Sequence, residues 1–179
     1  MAAGGALWAQ ETKPSDVKLS SPKAQTDAMD AAHVQQAGTL INGGLKYLLA
    51  NKEADGGWSL GKGTHKPAAT ALVLKTLIQH GDFPADSQVI KDGFKVLLSY
   101  RQKDGGIYDP KQGVTTYTTS IAIMALTASG NPEYRGAIDD AVKYLKGVQI
   151  QPGSESPDGT TIKDGDPRIG GVDYGKTGQ

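Results

Sequence analysis

The stretch Leu45-Lys-Tyr-Leu-Leu-Ala-Asn-Lys-Glu-Ala-Asp-Gly-Gly-Trp58 returns downstream in recognisable pieces, and that return sets the architecture. Gly44-Leu-Lys-Tyr-Leu-Leu49 recurs as Gly93-Phe-Lys-Val-Leu-Leu98, 49 residues later. Asp55-Gly56-Gly57 recurs as Asp104-Gly105-Gly106 at the same spacing. Thr70 to Leu77 aligns with Thr119 to Leu126, and Gly81 with Gly130. A third copy opens at Ala141-Val-Lys-Tyr-Leu145, 48 residues after Gly93. Separate blocks that keep one register mark an internal repeat, and a period of this length is that of a stacked helical array.

Each copy holds two helices of different character. The first carries an i, i+4, i+7, i+8 stripe: Ile41, Leu45, Leu48 and Leu49, then Ile90, Phe94, Leu97 and Leu98, then Ile138, Val142 and Leu145. Such a stripe buries one face and leaves Lys46, Lys95 and Lys143 outside. The second helix is apolar nearly all round, from Ala68 to Ile78 and from Ile121 to Leu126, so it is buried on several sides. The pattern predicts helices near 34–51, 67–80, 87–102, 117–129 and 134–149. Leu48, Leu97 and Leu145 are expected at equivalent buried positions. Alternating wet and dry helices imply two layers: an all-α fold, an α/α toroid built as a partial ring of inner/outer helix pairs with a ~49-residue repeat.

The punctuation agrees with this. Asp-Gly-Gly falls just past each amphipathic helix, where left-handed geometry calls for Gly. Thr64 and Thr116 are candidate caps of the apolar helices, and Pro67 suits a first helical turn. Gly81 and Gly130 end those helices, with Pro84 and Pro132 shortly after.

The residues 45–58, with Tyr100-Arg-Gln-Lys-Asp-Gly-Gly-Ile-Tyr108, resemble the repeat of the prenyltransferase and squalene-cyclase (terpenoid cyclase) family. The resemblance covers about Gln36 to Tyr174 and implies the α/α toroid. In that family a Gln and an aromatic residue flank the Gly-rich turn and tie successive repeats together. Gln102 matches the Gln in copy two, where copy one offers Lys52 or Asn51. Trp58 matches the aromatic in copy one, where copy two offers Ile107-Tyr108. Copy three carries an insertion, Gln151 to Arg168, before Gly170-Gly171-Val-Asp-Tyr174. The family's chemical signatures are missing: the Asp, Cys and His zinc set cannot form without Cys, and Asp-x-Asp-Asp does not occur. No catalytic residue and no cofactor is therefore identifiable in this segment.

Composition narrows the function further. Lys+Arg and Asp+Glu both number 19, with no basic run, which argues against a nucleic-acid partner. No uninterrupted apolar stretch is long enough to span a membrane. Residues 1–28 read as a disordered segment, compatible with the remnant of a signal peptide plus a linker, which leans weakly toward export. Residues 29–179 read as the repeats. The chain reaches Gln179 about where another apolar helix is due, so the sequence reads as truncated, with further repeats of the same chain as a partner.

Three functional classes stand open. One is a prenyltransferase- or terpene-cyclase-like protein with an isoprenoid or other apolar ligand in a central cavity. A second is a non-catalytic toroid that binds or interacts. A third is an α/α-barrel carbohydrate enzyme, ranked last because no two acids are expected together at an inner-helix end. For substrate binding the candidates are His65 and Lys66, a cation at a helix start that suits an anion such as a diphosphate, with Tyr108 and Tyr117 at a cavity mouth. Asp109 flanks the same turn. For the repeat turns they are Asp55, Gly56, Gly57, Trp58, Gln102, Asp104, Gly105 and Gly106. Trp58 reads as packing between repeats, the pair Asp139-Asp140 as a solvated face, and His33 and His80 as ordinary surface and helix-end residues. Asp164 and Asp166 lack the full ligand spacing of a calcium loop, and no metal site is expected.

Overall fold

The computed structural model describes residues 31–175 except 62, 157 and 158. The expectations for residues 1–28 lie outside that range. Five α-helices run in order: α1 Ala31–Ala50, α2 Lys66–His80, α3 Gln88–Ser99, α4 Thr115–Ala128 and α5 Arg135–Gly147, the last preceded by a 3-10 turn, Pro132–Tyr134. Among the described residues no β-strand occurs, and the few bridges are isolated. The chain is all-α. It divides into two units at Asn42/Gly43, with α1 running through the division. In the first unit, Val34, Leu40 and Ile41 are exposed, and the Thr39 hydroxyl donates to the Gln35 carbonyl at 2.9 Å.

The second unit is built on α2 and α4, which pack against each other; α3 packs on α2 and α5 on α4. These contacts follow from the two helix types. The apolar helices bury Ala71, Leu74, Leu77, Ala122, Ala125 and Leu126 completely or nearly so, and the amphipathic α3 lays Ile90, Phe94 and Leu97 into the same core. Small residues permit the closest approaches. A Cβ on Gly93 would lie 2.6 Å from Leu74 Cδ2, so α3 crosses α2 at a position that tolerates no side chain. Its counterpart in α5 is Ala141, fully buried. Gly44, the counterpart in α1, has nothing within 4 Å, and no helix precedes it in this unit.

The expected burial of the stripe is corrected as well. Leu97 is fully buried, but Leu48 and Leu145 are half-buried. Leu49 is exposed, and Ile138 and Val142 are half-covered. The stripe of α3 packs on α2, and Tyr134 of the 3-10 turn adds to its cover, with its ring centroid 4.9 Å from that of Phe94.

The helix starts differ from expectation as well. Neither Thr64 nor Thr116 caps a helix. The N-cap residues are His65 and Val114, 49 positions apart, with φ of 49° and 48° and no side-chain cap bond. Thr64 turns its hydroxyl back toward the Leu60 and Gly61 carbonyls, and Thr116 lies buried inside α4. Left-handed backbone is costly for a β-branched residue such as Val114, so its recurrence at one place in two repeats shows that the surrounding chain imposes the turn.

Candidate functional site

The Asp-Gly-Gly turns are the most regular feature of the molecule. In the first, the Glu53 N–H donates to the Gly57 carbonyl at 2.9 Å and the Gly56 N–H to the Glu53 carbonyl at 2.9 Å. Gln102 and Gly105-Gly106 repeat the pair at 2.8 and 3.1 Å. Ile150 and Gly170-Gly171 repeat it again at 2.9 and 2.9 Å, across the eighteen-residue insertion. Gly56, Gly105 and Gly170 hold φ of 97°, 91° and 87°, a region that favours Gly. The residue matching Gln102 is therefore Glu53, not Asn51 or Lys52. In the first two turns an Asp side chain closes the loop: Asp55 Oδ1 accepts from the Gly57 N–H at 3.0 Å and Asp104 Oδ1 from the Gly106 N–H at 2.9 Å.

Each turn is tied to its own apolar helix by a buried threonine. The Trp58 N–H donates to Thr70 Oγ1 at 2.9 Å, and the Thr70 hydroxyl donates to the Trp58 carbonyl at 3.0 Å. In the second repeat the Ile107 N–H donates to Thr119 Oγ1 at 3.1 Å, while that hydroxyl donates to the Thr115 carbonyl at 2.8 Å and lies 3.3 Å from the Ile107 carbonyl. Each turn also touches the next amphipathic helix. A Cβ on Gly56 would lie 2.7 Å from Asp92 Cβ on α3, and one on Gly105 would lie 2.7 Å from the Asp140 carbonyl oxygen on α5. Trp58 is buried and its indole N–H donates to the Leu48 carbonyl at 2.7 Å, which closes the end of α1. Gln102 spans its turn by donating to the Tyr100 and Tyr108 carbonyls, both at 2.9 Å.

The four substrate-binding candidates do not converge: no side-chain hydrogen bond, ion pair or ring contact joins one to another. The Lys66 ammonium lies between two carboxylates, 2.7 Å from Glu53 Oε2 and 2.5 Å from Asp55 Oδ2. The hydrogen bond from Lys66, then that from Ser59, holds Glu53 below its ordinary range. For Asp55 the Lys66 bond comes first and the Gly57 N–H second. Burial pulls Lys66 down, but the bonds to Asp55 and Glu53 outweigh it and leave the ammonium raised. An anion at this helix start would have to displace two carboxylates. The sequence reading missed this cluster, since no two acids were expected at the start of an apolar helix; the signal was Glu53, two residues before Asp55 in the turn. Both acids sit on the ionised side, opposite to what a general acid requires.

His65 donates its backbone N–H to Gln112 Oε1, a link between the chain segments that lead into α2 and α4. Tyr108 donates to Asp104 Oδ2 at 2.6 Å and packs against Tyr144 with ring centroids 5.6 Å apart; burial, then the Asp104 bond, pushes its phenol up. Tyr144 in turn donates to Thr115 Oγ1 at 2.8 Å. Tyr117 is exposed on α4 and faces Tyr174 with centroids 6.0 Å apart, beside a cleft of about 330 Å³. The acid pair on α5 is solvent-exposed and makes surface ion pairs: Asp139 accepts from Arg135 at 3.1 Å, and Asp140 pairs with Arg101 of the second turn. In the insertion, Asp166 is drawn down to about 2 by its bonds from Arg168. Among the described residues no group of three or more His, Cys, Asp or Glu is placed to hold a metal ion, and no helix is long and apolar enough to cross a membrane.

Large apolar side chains are exposed on α2 and α4, the two helices that otherwise bury most. Leu72 is 45%, Tyr117 44% and Met124 50% exposed. On the same helices Leu74 and Ile121 are buried and Ile123 is half-buried. No family model matches the chain, and no curated protein matches it.

Proposed function

We propose that this chain is a repeat scaffold of the α/α-toroid type, of the prenyltransferase and squalene-cyclase kind, which holds an apolar, isoprenoid-like ligand against α4. The observation that carries the reading is the exposure of Tyr117 and Met124, seven residues apart on one face of α4, a helix whose other faces are packed tight. Exposed apolar side chains of this size on core helices mark a binding face. The repeated turns supply rigidity, because each is fixed to its own apolar helix by Thr70 or Thr119 and to the next amphipathic helix at Gly56 or Gly105. A rigid apolar wall suits a chain-like ligand that needs shape rather than hydrogen bonds.

The head group of such a ligand finds no free cation at Lys66, whose charge is answered by Glu53 and Asp55. The same neutralisation favours the second reading, a non-catalytic module, over a diphosphate-processing enzyme for the residues described. Calorimetric titration with farnesol, farnesyl diphosphate and a neutral oligosaccharide separates the classes. Farnesol and its diphosphate should bind within about threefold of each other, the sugar should not bind, and Met124→Lys should weaken both lipids. Failure of both lipids to bind would overturn the reading; a diphosphate preference of a hundredfold would restore the anion site.

A further inference from the structure

The insertion from Gln151 to Arg168 leaves the third turn and returns to it, and it builds a cleft of its own. Within it the Gly153 N–H donates to the Ile162 carbonyl and the Ile162 N–H to the Ser154 carbonyl, both at 2.8 Å. The Ser156 N–H donates to the Thr160 carbonyl, also at 2.8 Å, so the two arms of the insertion are laced together. Ile162 is 3% and Ser156 7% exposed. The laced arms and the end of α5 enclose a cleft of about 430 Å³. Neither earlier copy has this segment, so the cleft is no part of the repeat.

Its lining combines aliphatic side chains, Val148, Ile150 and Ile162, with charge. Arg168 is the one cation among the described residues that line it, and its guanidinium is engaged. Nε and Nη2 donate to Asp166 Oδ1 and Oδ2 at 3.0 and 2.8 Å, and Nη1 donates to Ser156 Oγ at 2.6 Å. Two carboxylates, Glu155 and Asp173, also line the cleft, and among the described residues no ion pair answers either of them. Asp173 Oδ1 accepts the Gly175 N–H at 2.8 Å, which leaves its charge in place. α5 ends at Gly147, and Gly147 and Val148 lie in the lining. The C-terminal end of a helix carries partial negative charge and favours a cation.

We infer that this cleft binds an alkylammonium group, a primary-amine cation on a short aliphatic stem. Glu155, Asp173 and the end of α5 answer the charge, while Val148, Ile150 and Ile162 cover the methylenes. A long cationic side chain is accommodated in the same divided way, stem on apolar surface and head in polar surroundings. An anion would meet two unanswered carboxylates, and a purely apolar group would strip them of water with nothing in return. Such a cation belongs either to a free diamine or to a lysine of a peptide, and the chemistry of recognition is the same. The inference depends neither on the apolar ligand at α4 nor on the ancestry of the repeat. Asp173 also borders the cleft beside Tyr117, so the two clefts must be read apart.

The test is an NMR titration of the isotope-labelled 179-residue chain with n-butylammonium, beside n-butanol and butyrate as neutral and anionic controls. Butylammonium should shift the Ile150 and Ile162 methyl and Ser156 amide resonances saturably at millimolar concentration, ordinary for so few heavy atoms, and leave Tyr117 and Met124 unmoved. Butanol and butyrate should bind about tenfold more weakly or not at all. Glu155→Gln and Asp173→Asn should each weaken butylammonium about two- to fivefold, the worth of one partly exposed ion pair, with circular dichroism unchanged. Putrescine and Nα-acetyl-lysine methylamide separate the sources: tighter binding of the first assigns a free diamine, of the second a peptide lysine, and either result supports the inference. Equal binding by butanol, shifts that map to Tyr117 instead, unchanged affinity in both carboxylate variants, or no saturable shift of Ile162 would overturn it. Farnesol titrated into the same sample reports on the α4 face separately, so the loss of one reading leaves the other standing.

Discussion

The Thr70 hydroxyl sits between the N–H and the carbonyl of Trp58, at 2.9 and 3.0 Å, and so satisfies both backbone groups of one buried residue. Trp58 lies twelve residues before it, in the turn, so a single hydroxyl fixes the loop to the helix that follows. Thr119 does the same for the Ile107 N–H.

Replacing Thr70 by Val keeps the shape and removes the polar partner. Two buried backbone groups are then left without it, and the cost should be about 1–3 kcal/mol in urea unfolding. Thr70→Ser should recover most of the loss. Equal stability of Thr70→Val and wild type would show that the turn does not depend on this hydroxyl.

Gly93 and Gly44 are equivalent in sequence and opposite in surroundings. Gly93→Ala places a methyl 2.6 Å from Leu74 Cδ2 and should cost about 1–3 kcal/mol through displaced packing. Gly44→Ala meets nothing within 4 Å and should stabilise α1 by about 0.5–1 kcal/mol. Thermal melts of the two variants should therefore move in opposite directions.

Truncation of the stripe should report position along the array. Leu97→Ala, at a fully buried site, should cost about 2–5 kcal/mol. Leu145→Ala, at a half-buried site, should cost less than half as much in the same denaturant series. Equal costs would mean that α5 is covered as completely as α3.

The Lys66 cluster sets a pH dependence whose sign is fixed. Glu53 and Asp55 are depressed from ordinary values of 4.5 and 3.8, so their contribution is complete above those values and is lost as pH falls through the lower folded ones. Lys66 is raised above 10.5, so its contribution is present below that value and is lost as pH rises through the higher folded one. Stability from this cluster should be flat between about pH 5 and pH 9, and salt should weaken it. Both carboxylates are partly exposed, so the amplitude should stay near or below 1 kcal/mol. Lys66→Met should flatten the acid limb; an unchanged limb would place the acid sensitivity elsewhere.

Much of this was legible in the residues alone, and the reason is that it is local. The 49-residue period, the five helices, and the Gly pairs at 56–57, 105–106 and 170–171 follow from apolar spacing and from backbone angles that few residues adopt. Those signals are carried within a few positions of each other, so no partner is needed to read them. Tertiary packing decided the rest. It chose Thr70 and Thr119 as straps over Thr64 and Thr116 as caps, because what matters is which buried N–H lies across from a hydroxyl. It placed Glu53 rather than Asn51 or Lys52 in the turn and answered the charge of Lys66 with it. It closed over Leu97 and left Leu145 half-open, although both occupy the same place in the repeat. A repeat writes the same residue twice, but burial is a property of the neighbours, and the neighbours of the middle copy differ from those of the copies beside it.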